Sequence, residues 1–200
     1  GGVAEARAEA ARLEADRLQQ TFDALLRIAR IDTGRHRMLQ GPVELDALLA
    51  DAVELYEPEA EVPGQRLQLA VTPCRVTGDR NLLFQAVANL LDNALKFAPE
   101  GGDIGVELSV EGGMAQIAVS DSGPGVGAEH LPRLTERVFR APGSEQVPGT
   151  GFGLTLVDAI ASAHDGTLGF EAAEGRFSVI LRLPLTASSQ GAREISAGAS

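Results

Sequence analysis

Residues 79–102 read DRNLLFQAVANLLDNALKFAPEGG, and the chain is arranged around them. Leu82, Leu83, Ala86, Val87, Leu90, Leu91, Ala94 and Leu95 recur three and four apart, which covers one broad stripe of a helix. Asn89, Asn93 and Lys96 follow at i, i+4 and i+7, so two amides and an ammonium line up along the same helix surface. Amides are poor helix formers and lose their water when half buried, so two in register beside a core need partners. The spacing alone fits two arrangements. In one, the amides hydrogen-bond a neighbouring loop. In the other, an amide oxygen is a hard ligand for magnesium and the lysine meets a phosphate.

Two glycine clusters downstream bear on that choice. Asp121-Ser122-Gly123-Pro124-Gly125 comes at the end of the apolar strand Ile117-Ala118-Val119. A carboxylate there can accept a hydrogen bond from an amino group such as the exocyclic amine of adenine, and Gly123 and Gly125 let backbone approach a flat ligand. Asp-x-Gly-x-Gly by itself is a weak signal and more often an ordinary turn. Gly149-Thr150-Gly151-Phe152-Gly153 stands immediately before a helix, where unpaired amides and the helix dipole favour a phosphate chain. Dinucleotide folds carry a similar spacing after a first strand that opens a parallel unit. Here the cluster arrives late, between antiparallel hairpins, which argues against such a fold.

Working outward, Val3 to about Asp32 is rich in Ala, Glu, Arg and Leu, with Ala11, Ala15, Leu18, Phe22, Leu25 and Ala29 in the alternating spacing of a bundle seam. Such a helix needs a partner, most simply its own copy in a homodimer through residues 3–32. Pro42–Glu44 reads as a short strand or hinge. Asp46–Glu57 reads as an amphipathic helix ended by Pro58 and Pro63, with Leu45, Leu49, Val53 and Tyr56 on one side. Arg66–Val71 is a half-buried strand with Leu67, Leu69 and Val71 inward. Gly78-Asp79 is a turn into the asparagine-bearing helix.

Beyond that helix, Ile104–Val110 and Gln116–Ser120 form a hairpin around Glu111-Gly112-Gly113. Glu129–Val138 reads as a short helix interrupted at Pro132, and Ala141–Gly149 as a loop. Gly153–His164 is an amphipathic helix, and Thr167–Glu171 with Arg176–Leu183 a closing hairpin. Thr186–Ser200 has the composition of a disordered tail. The order predicts an α+β sandwich, a mixed sheet covered by helices on one face and preceded by a long helix. The expected divisions are residues 1–34, 42–185 and 186–200.

Composition narrows the function. With 200 residues, 44% of them hydrophobic, the chain allows one substantial domain and a smaller piece. It has no run of about 18 uncharged apolar residues to span a membrane, and the start, GGVAEARAEA, lacks a basic-then-apolar leader pattern. A net charge of -11 disfavours nucleic acid or anionic membrane as a partner, while still allowing local phosphate binding. Cys74 is the single cysteine, which rules out an internal disulfide and suits a reducing compartment. His36, His130 and His164 share no metal-ligand spacing and read as surface or packing residues.

In order and spacing, Asn89-Leu90-Leu91-Asp92-Asn93-Ala94-Leu95-Lys96-Phe97, Asp121-Ser122-Gly123-Pro124-Gly125 and Gly149-Thr150-Gly151-Phe152-Gly153-Leu154 resemble the N, G1 and G2 boxes of sensor histidine kinases. LLRIARIDTG at 25–34 resembles the end of the second dimerisation helix, and Leu183-Pro184-Leu185 the domain's last strand. The resemblance implies the ATP-binding Bergerat fold shared with gyrase, Hsp90 and MutL. It implies Asn93 as the magnesium ligand, Asn89 assisting the metal or phosphates, Lys96 on the phosphates and Phe97 packed near the nucleotide. Asp121 would read the adenine amine beside Gly123 and Gly125. Thr150, Gly151, Phe152, Gly153 and Leu154 would form the phosphate turn, with the Gly151 and Gly153 amides on the phosphate chain. Leu131–Arg140 corresponds to the F box, so Arg137 or Arg140 would meet the γ-phosphate, where a guanidinium stabilises charge during transfer; a solvated surface charge is the other reading of either arginine.

The chain departs from the family pattern in three places. Thr135 and Val138 stand where the F box usually carries aromatics, and Ala141–Pro148 leaves a short lid. The phosphorylatable histidine, on the first dimerisation helix in an acidic setting, has no counterpart at His36, His130 or His164. The resemblance therefore implies the catalytic portion of a sensor kinase, acting in the cytoplasm on a histidine outside this chain and serving a response regulator. Any membrane anchor would belong to other parts of the parent protein. A nucleotide-binding scaffold with weak turnover is the alternative. An ATPase of the Hsp90 or MutL kind fits less well, because Asn89 stands where those proteins carry the water-activating glutamate.

Overall fold

In a computed structural model of the chain, the residues described are 40–136, 139, 147, 151–173 and 175–186. The helix expected over residues 3–32, the tail beyond Thr186, and Arg137, Arg140 and Thr150 lie outside them. Strand β1 (Gly41–Glu44) leads into helix α1 (Leu45–Glu61), strand β2 (Arg66–Val71) and strand β3 (Arg75–Gly78). Helix α2 (Arg80–Phe97) then precedes the strands β4 (Asp103–Glu111) and β5 (Met114–Asp121). A 3₁₀ turn (Ala128–Arg133), helix α3 (Gly153–Ala163) and the hairpin β6 (Thr167–Ala173) and β7 (Arg176–Pro184) complete the order.

The five-stranded sheet runs β2-β4-β5-β7-β6, with β2 and β4 parallel and every other pair antiparallel. The expected mixed sheet with helices over it is therefore present. Inward residues Ile104, Val106, Leu108, Ile117, Val119, Val179, Leu181 and Leu183 meet α2 and α3 in one continuous core. The asparagine helix supplies Leu83, Leu90 and Leu91, each essentially without exposed surface. Burying a leucine side chain contributes roughly 1.5–3 kcal/mol, so this stripe is the main attachment of α2 to the sheet. The helix stops at Phe97 because Ala98, ahead of Pro99, takes an extended ψ of 136°.

Several expectations need correction. Helix α1 continues through Pro58 to Glu61. Pro58 stands in the last turn, and the chain beyond it is held by the buried Ala60, whose carbonyl accepts the Gln65 N–H at 2.9 Å. Within the described part of the expected 129–138 helix, a 3₁₀ turn with Pro132 inside it forms at the start and residues 134–136 leave it. Val71 is 40% exposed, since β2 is an edge strand with β4 on one side only.

The Gly78-Asp79 turn is preceded by the unforeseen strand β3, which pairs antiparallel with β1 in a separate two-stranded sheet. Val43 and Val76 bury the inner side of that small sheet. The chain after β7 returns to it: Val76 bridges Leu185, and the Thr186 N–H donates to the Arg75 carbonyl at 3.0 Å.

Candidate nucleotide site

Helix α2 is fixed at both ends before it presents anything to a ligand. At its start, the Asp79 carboxylate accepts the N–H groups of Asn81 (2.9 Å) and Leu82 (3.2 Å), capping the helix. The Asp79 N–H donates to Nε2 of the buried His164 at 3.0 Å, and His164 Nδ1 lies 2.7 Å from the Ile160 carbonyl. The imidazole therefore carries its proton on Nδ1 and ties α2 to the end of α3, a packing histidine as its sequence setting indicated. At the other end, Gln65 Nε2 donates to the Leu95 and Ala98 carbonyls at 3.1 and 2.9 Å.

Between these anchors the half-buried Asn89 and Asn93 face the first residue of α3. Asn89 Nδ2 donates to the Gln85 carbonyl at 2.8 Å, which commits the nitrogen to its own helix. A β-carbon at Gly153 would lie 3.4 Å from Asn89 Oδ1 and 3.7–3.8 Å from the Asn93 amide atoms. Asn93 and Gly153, 60 residues apart in sequence, thus meet beside Asn89 at a helix N-terminus. Gly151 has φ +73°, a left-handed conformation that turns the chain into this position. Phe152 is buried in the core and Leu154 packs against it, so what these two offer a ligand is main chain. Lys96 Nζ is 2.5 Å from Asp92 Oδ2, an exposed pair one turn apart. The same carboxylate, second to burial, helps to raise the pKa of the Tyr56 hydroxyl on α1.

Beyond the C-terminal end of α2, the turn that starts at Asp121 is drier. Asp121 is 7% exposed, and its Oδ1 accepts the Gly123 N–H at 2.8 Å. Burial pushes the carboxyl above its ordinary range and the Gly123 N–H partly offsets this. Gly123 has an additional reason to be glycine: a β-carbon there would fall 2.4 Å from the Phe97 carbonyl oxygen, at the end of α2. Gly125, φ +70°, sits over Phe177, which pairs with Asp121 across β5 and β7 and stacks on Phe170 at 6.3 Å. The Phe97 side chain is 38% exposed beside this turn.

Residues 128–136 and Phe139 lie against helix α3. Leu134 is buried, Arg133 lies 4.3 Å over the Phe139 ring, and the Thr155 hydroxyl donates to the Thr135 carbonyl at 3.0 Å. Sequence reasoning missed four positions: Gln65, Asp92, Thr155 and Phe177. Only Asp92 left a local signal, its i, i+4 spacing to Lys96; the rest depend on contacts between distant segments.

The donor set suits a nucleotide. A desolvated carboxylate gains from an amine donor, amides at the start of α3 suit phosphate oxygens, and amide oxygens without a carboxylate cluster suit a magnesium that keeps water and phosphate ligands. Among the described residues no group of three or more His, Cys, Asp or Glu is placed to hold a metal without such help.

Residues 78–187 match the family described as histidine kinase-, DNA gyrase B-, and HSP90-like ATPase. The sensor protein QseC of Salmonella typhi is 37% identical over 170 residues, 84% of this chain and 37% of that protein. The chain thus spans little more than a third of that relative. Among solved structures, the mycobacterial sensor histidine kinase MprB superposes with a TM-score of 0.68 at 30% identity, over 72% of this chain and 98% of that one. Full-length ShkA, solved in complex with AMPPNP, gives 0.75 at 27% identity over 91% of this chain and 39% of that one. With a family match across more than half its length, and with the same mixed sheet and one-sided helices, this chain belongs to the histidine kinase-, DNA gyrase B-, and HSP90-like ATPases, as an ATP-binding catalytic domain of the sensor histidine kinase branch with the Bergerat-type fold.

Proposed function

We propose that this domain binds magnesium-ATP and passes the γ-phosphate to a histidine on a dimerisation helix outside this chain. The observation that carries the reading is the junction of Asn89, Asn93 and Gly153 at the N-terminus of α3, with the buried Asp121 at the other end of the same helix wall. Asp121 accepts the adenine amine, and Gly125 leaves the base an unobstructed approach. The Gly151 and Gly153 amides, at the positive end of α3, hold phosphate oxygens. Asn93 gives its amide oxygen to magnesium, Asn89 supports the same junction, and Lys96 swings from Asp92 to the phosphates. Magnesium, when bound, neutralises charge on the phosphate chain. Arg137 or Arg140 supplies the guanidinium beside the γ-phosphate.

Residues 3–32 pair with a second copy, and the phosphorylated partner helix hands its phosphate to a response regulator. The site faces the cytoplasm in this reading, and no helix among the described residues is long and apolar enough to cross a membrane. Titration with an ATP analogue, with and without magnesium, followed by transfer to a supplied full dimerisation hairpin, tests the proposal. Magnesium-dependent binding with transfer supports it. Tight binding without transfer favours a nucleotide-binding scaffold, and absence of binding refutes both.

A further inference from the structure

Thr155 lies in the first turn of α3, two residues beyond the glycine that faces Asn89 and Asn93, and is 8% exposed. A threonine inside a helix commonly returns its hydroxyl to a carbonyl one turn back. Here the Thr155 hydroxyl instead reaches a segment twenty residues earlier, donating to the Thr135 carbonyl at 3.0 Å, with the Glu136 carbonyl at 3.5 Å. The segment it grips is itself compact. The Glu136 N–H donates to the Arg133 carbonyl at 2.9 Å and the Phe139 N–H to the Glu136 carbonyl at 3.2 Å. Arg133 pairs with Glu136 at 3.1 Å and covers the Phe139 ring, while Leu134 is buried in the core. The residues from Arg133 to Glu136 are thus tied to one another, and Thr155 supplies a side-chain link from them to helix α3.

We infer that Thr155 is a positioning residue for phosphate transfer: its hydroxyl, through the Thr135 carbonyl, sets the 133–136 unit against the Gly151–Gly153 turn without touching the nucleotide. The inference rests on the function proposed above. Its physical basis is that catalytic groups tolerate little displacement, a shift of about 1 Å costing up to roughly a hundredfold in rate. Binding of the adenine end, which depends on Asp121 and the Phe97–Gly123 contact, lies outside this link and is left intact when it is cut.

The test compares Thr155→Val, which keeps the shape and removes the donor, with Thr155→Ser, which keeps the donor. ADP affinity, melting temperature and the rate of phosphate transfer to a supplied dimerisation hairpin are measured for each. Thr155→Val is expected to lower the transfer rate about tenfold, the effect of one buried hydrogen bond, with ADP affinity changed less than about twofold. Thr155→Ser is expected to restore the rate. An unchanged rate in the valine variant overturns the inference while wild-type activity preserves the proposed function. A parallel loss of ADP affinity, rate and melting temperature in both variants also overturns it, since that pattern marks packing alone. A wild-type domain that neither binds nor transfers defeats inference and function together.

Discussion

The backbone oxygen of Phe97 and the α-carbon of Gly123 lie so close that a single added methyl carbon at Gly123 would stand 2.4 Å from that oxygen and 2.6 Å from Asp121 Oδ1. This contact welds the end of the asparagine helix to the turn that holds the buried carboxylate. Gly123→Ala must move one or the other. It is expected to cost roughly 1–3 kcal/mol in urea unfolding, as overpacking does, and to weaken ADP. A variant with wild-type stability would show that the two segments can part freely.

Asp121→Asn separates recognition from folding. Its carboxyl titrates above the ordinary value when folded, so the native state holds its proton more tightly than the unfolded chain. The contribution of this group to stability is then fullest below the unfolded value and falls as pH rises toward the folded one. At neutral pH the empty domain carries that cost, which a neutral amide removes while still accepting the Gly123 N–H. The variant is expected to melt no lower than wild type without ligand, yet to bind ADP about 10- to 100-fold more weakly through loss of a charged acceptor. Calorimetry with and without ADP checks both halves, and equal losses for adenine and guanine nucleotides would count against the adenine assignment.

Asn93→Ala is expected to remove the gain in ATP affinity that magnesium confers, leaving the melting temperature close to wild type because the side chain is only half buried. Isothermal titration in magnesium and in chelator gives the comparison. A persisting magnesium effect would move the metal elsewhere.

Lys96→Ala should weaken ATP and leave adenosine affinity unaltered. Its partner, Asp92, is an exposed i, i+4 neighbour, a pair worth about 0.2–0.5 kcal/mol. Denaturant unfolding is therefore expected to change by no more than that amount. Equal weakening of both ligands would place Lys96 away from the phosphates.

His164→Phe tests the tie between α2 and α3. It leaves the Asp79 N–H without its ring acceptor in a buried place and is expected to cost about 1–3 kcal/mol. Thermal unfolding monitored by circular dichroism measures it, and an unaltered midpoint would show that water or the Asp79 cap satisfies the donor instead.

Much of this architecture was legible because its signals are local. The stripe from Leu82 to Leu95 gave the helix, and Gly112-Gly113 the hairpin between β4 and β5. The identities of Asn89, Asn93, Asp121 and Gly153 pointed to a nucleotide, and the structure brings the two asparagines and Gly153 together. What stayed hidden depends on distant partners. Strand β3 has four residues with only Val76 and Gly78 buried, too short for alternation to stand out. The parallel pairing of β2 with β4 joins segments separated by β3 and α2, and no periodicity encodes it. Pro58 misled because proline ordinarily breaks a helix, whereas here the burial of Ala60 beyond it carries α1 on to Glu61. Gly123, read as clearance for a ligand, is needed first by the protein's own backbone.

Strand β3 receives the chain on its way in, through β1, and again on its way out, through Thr186. Both flanks of the described domain therefore meet on one short strand, so a pull on either flank of a longer polypeptide would load the same small sheet first.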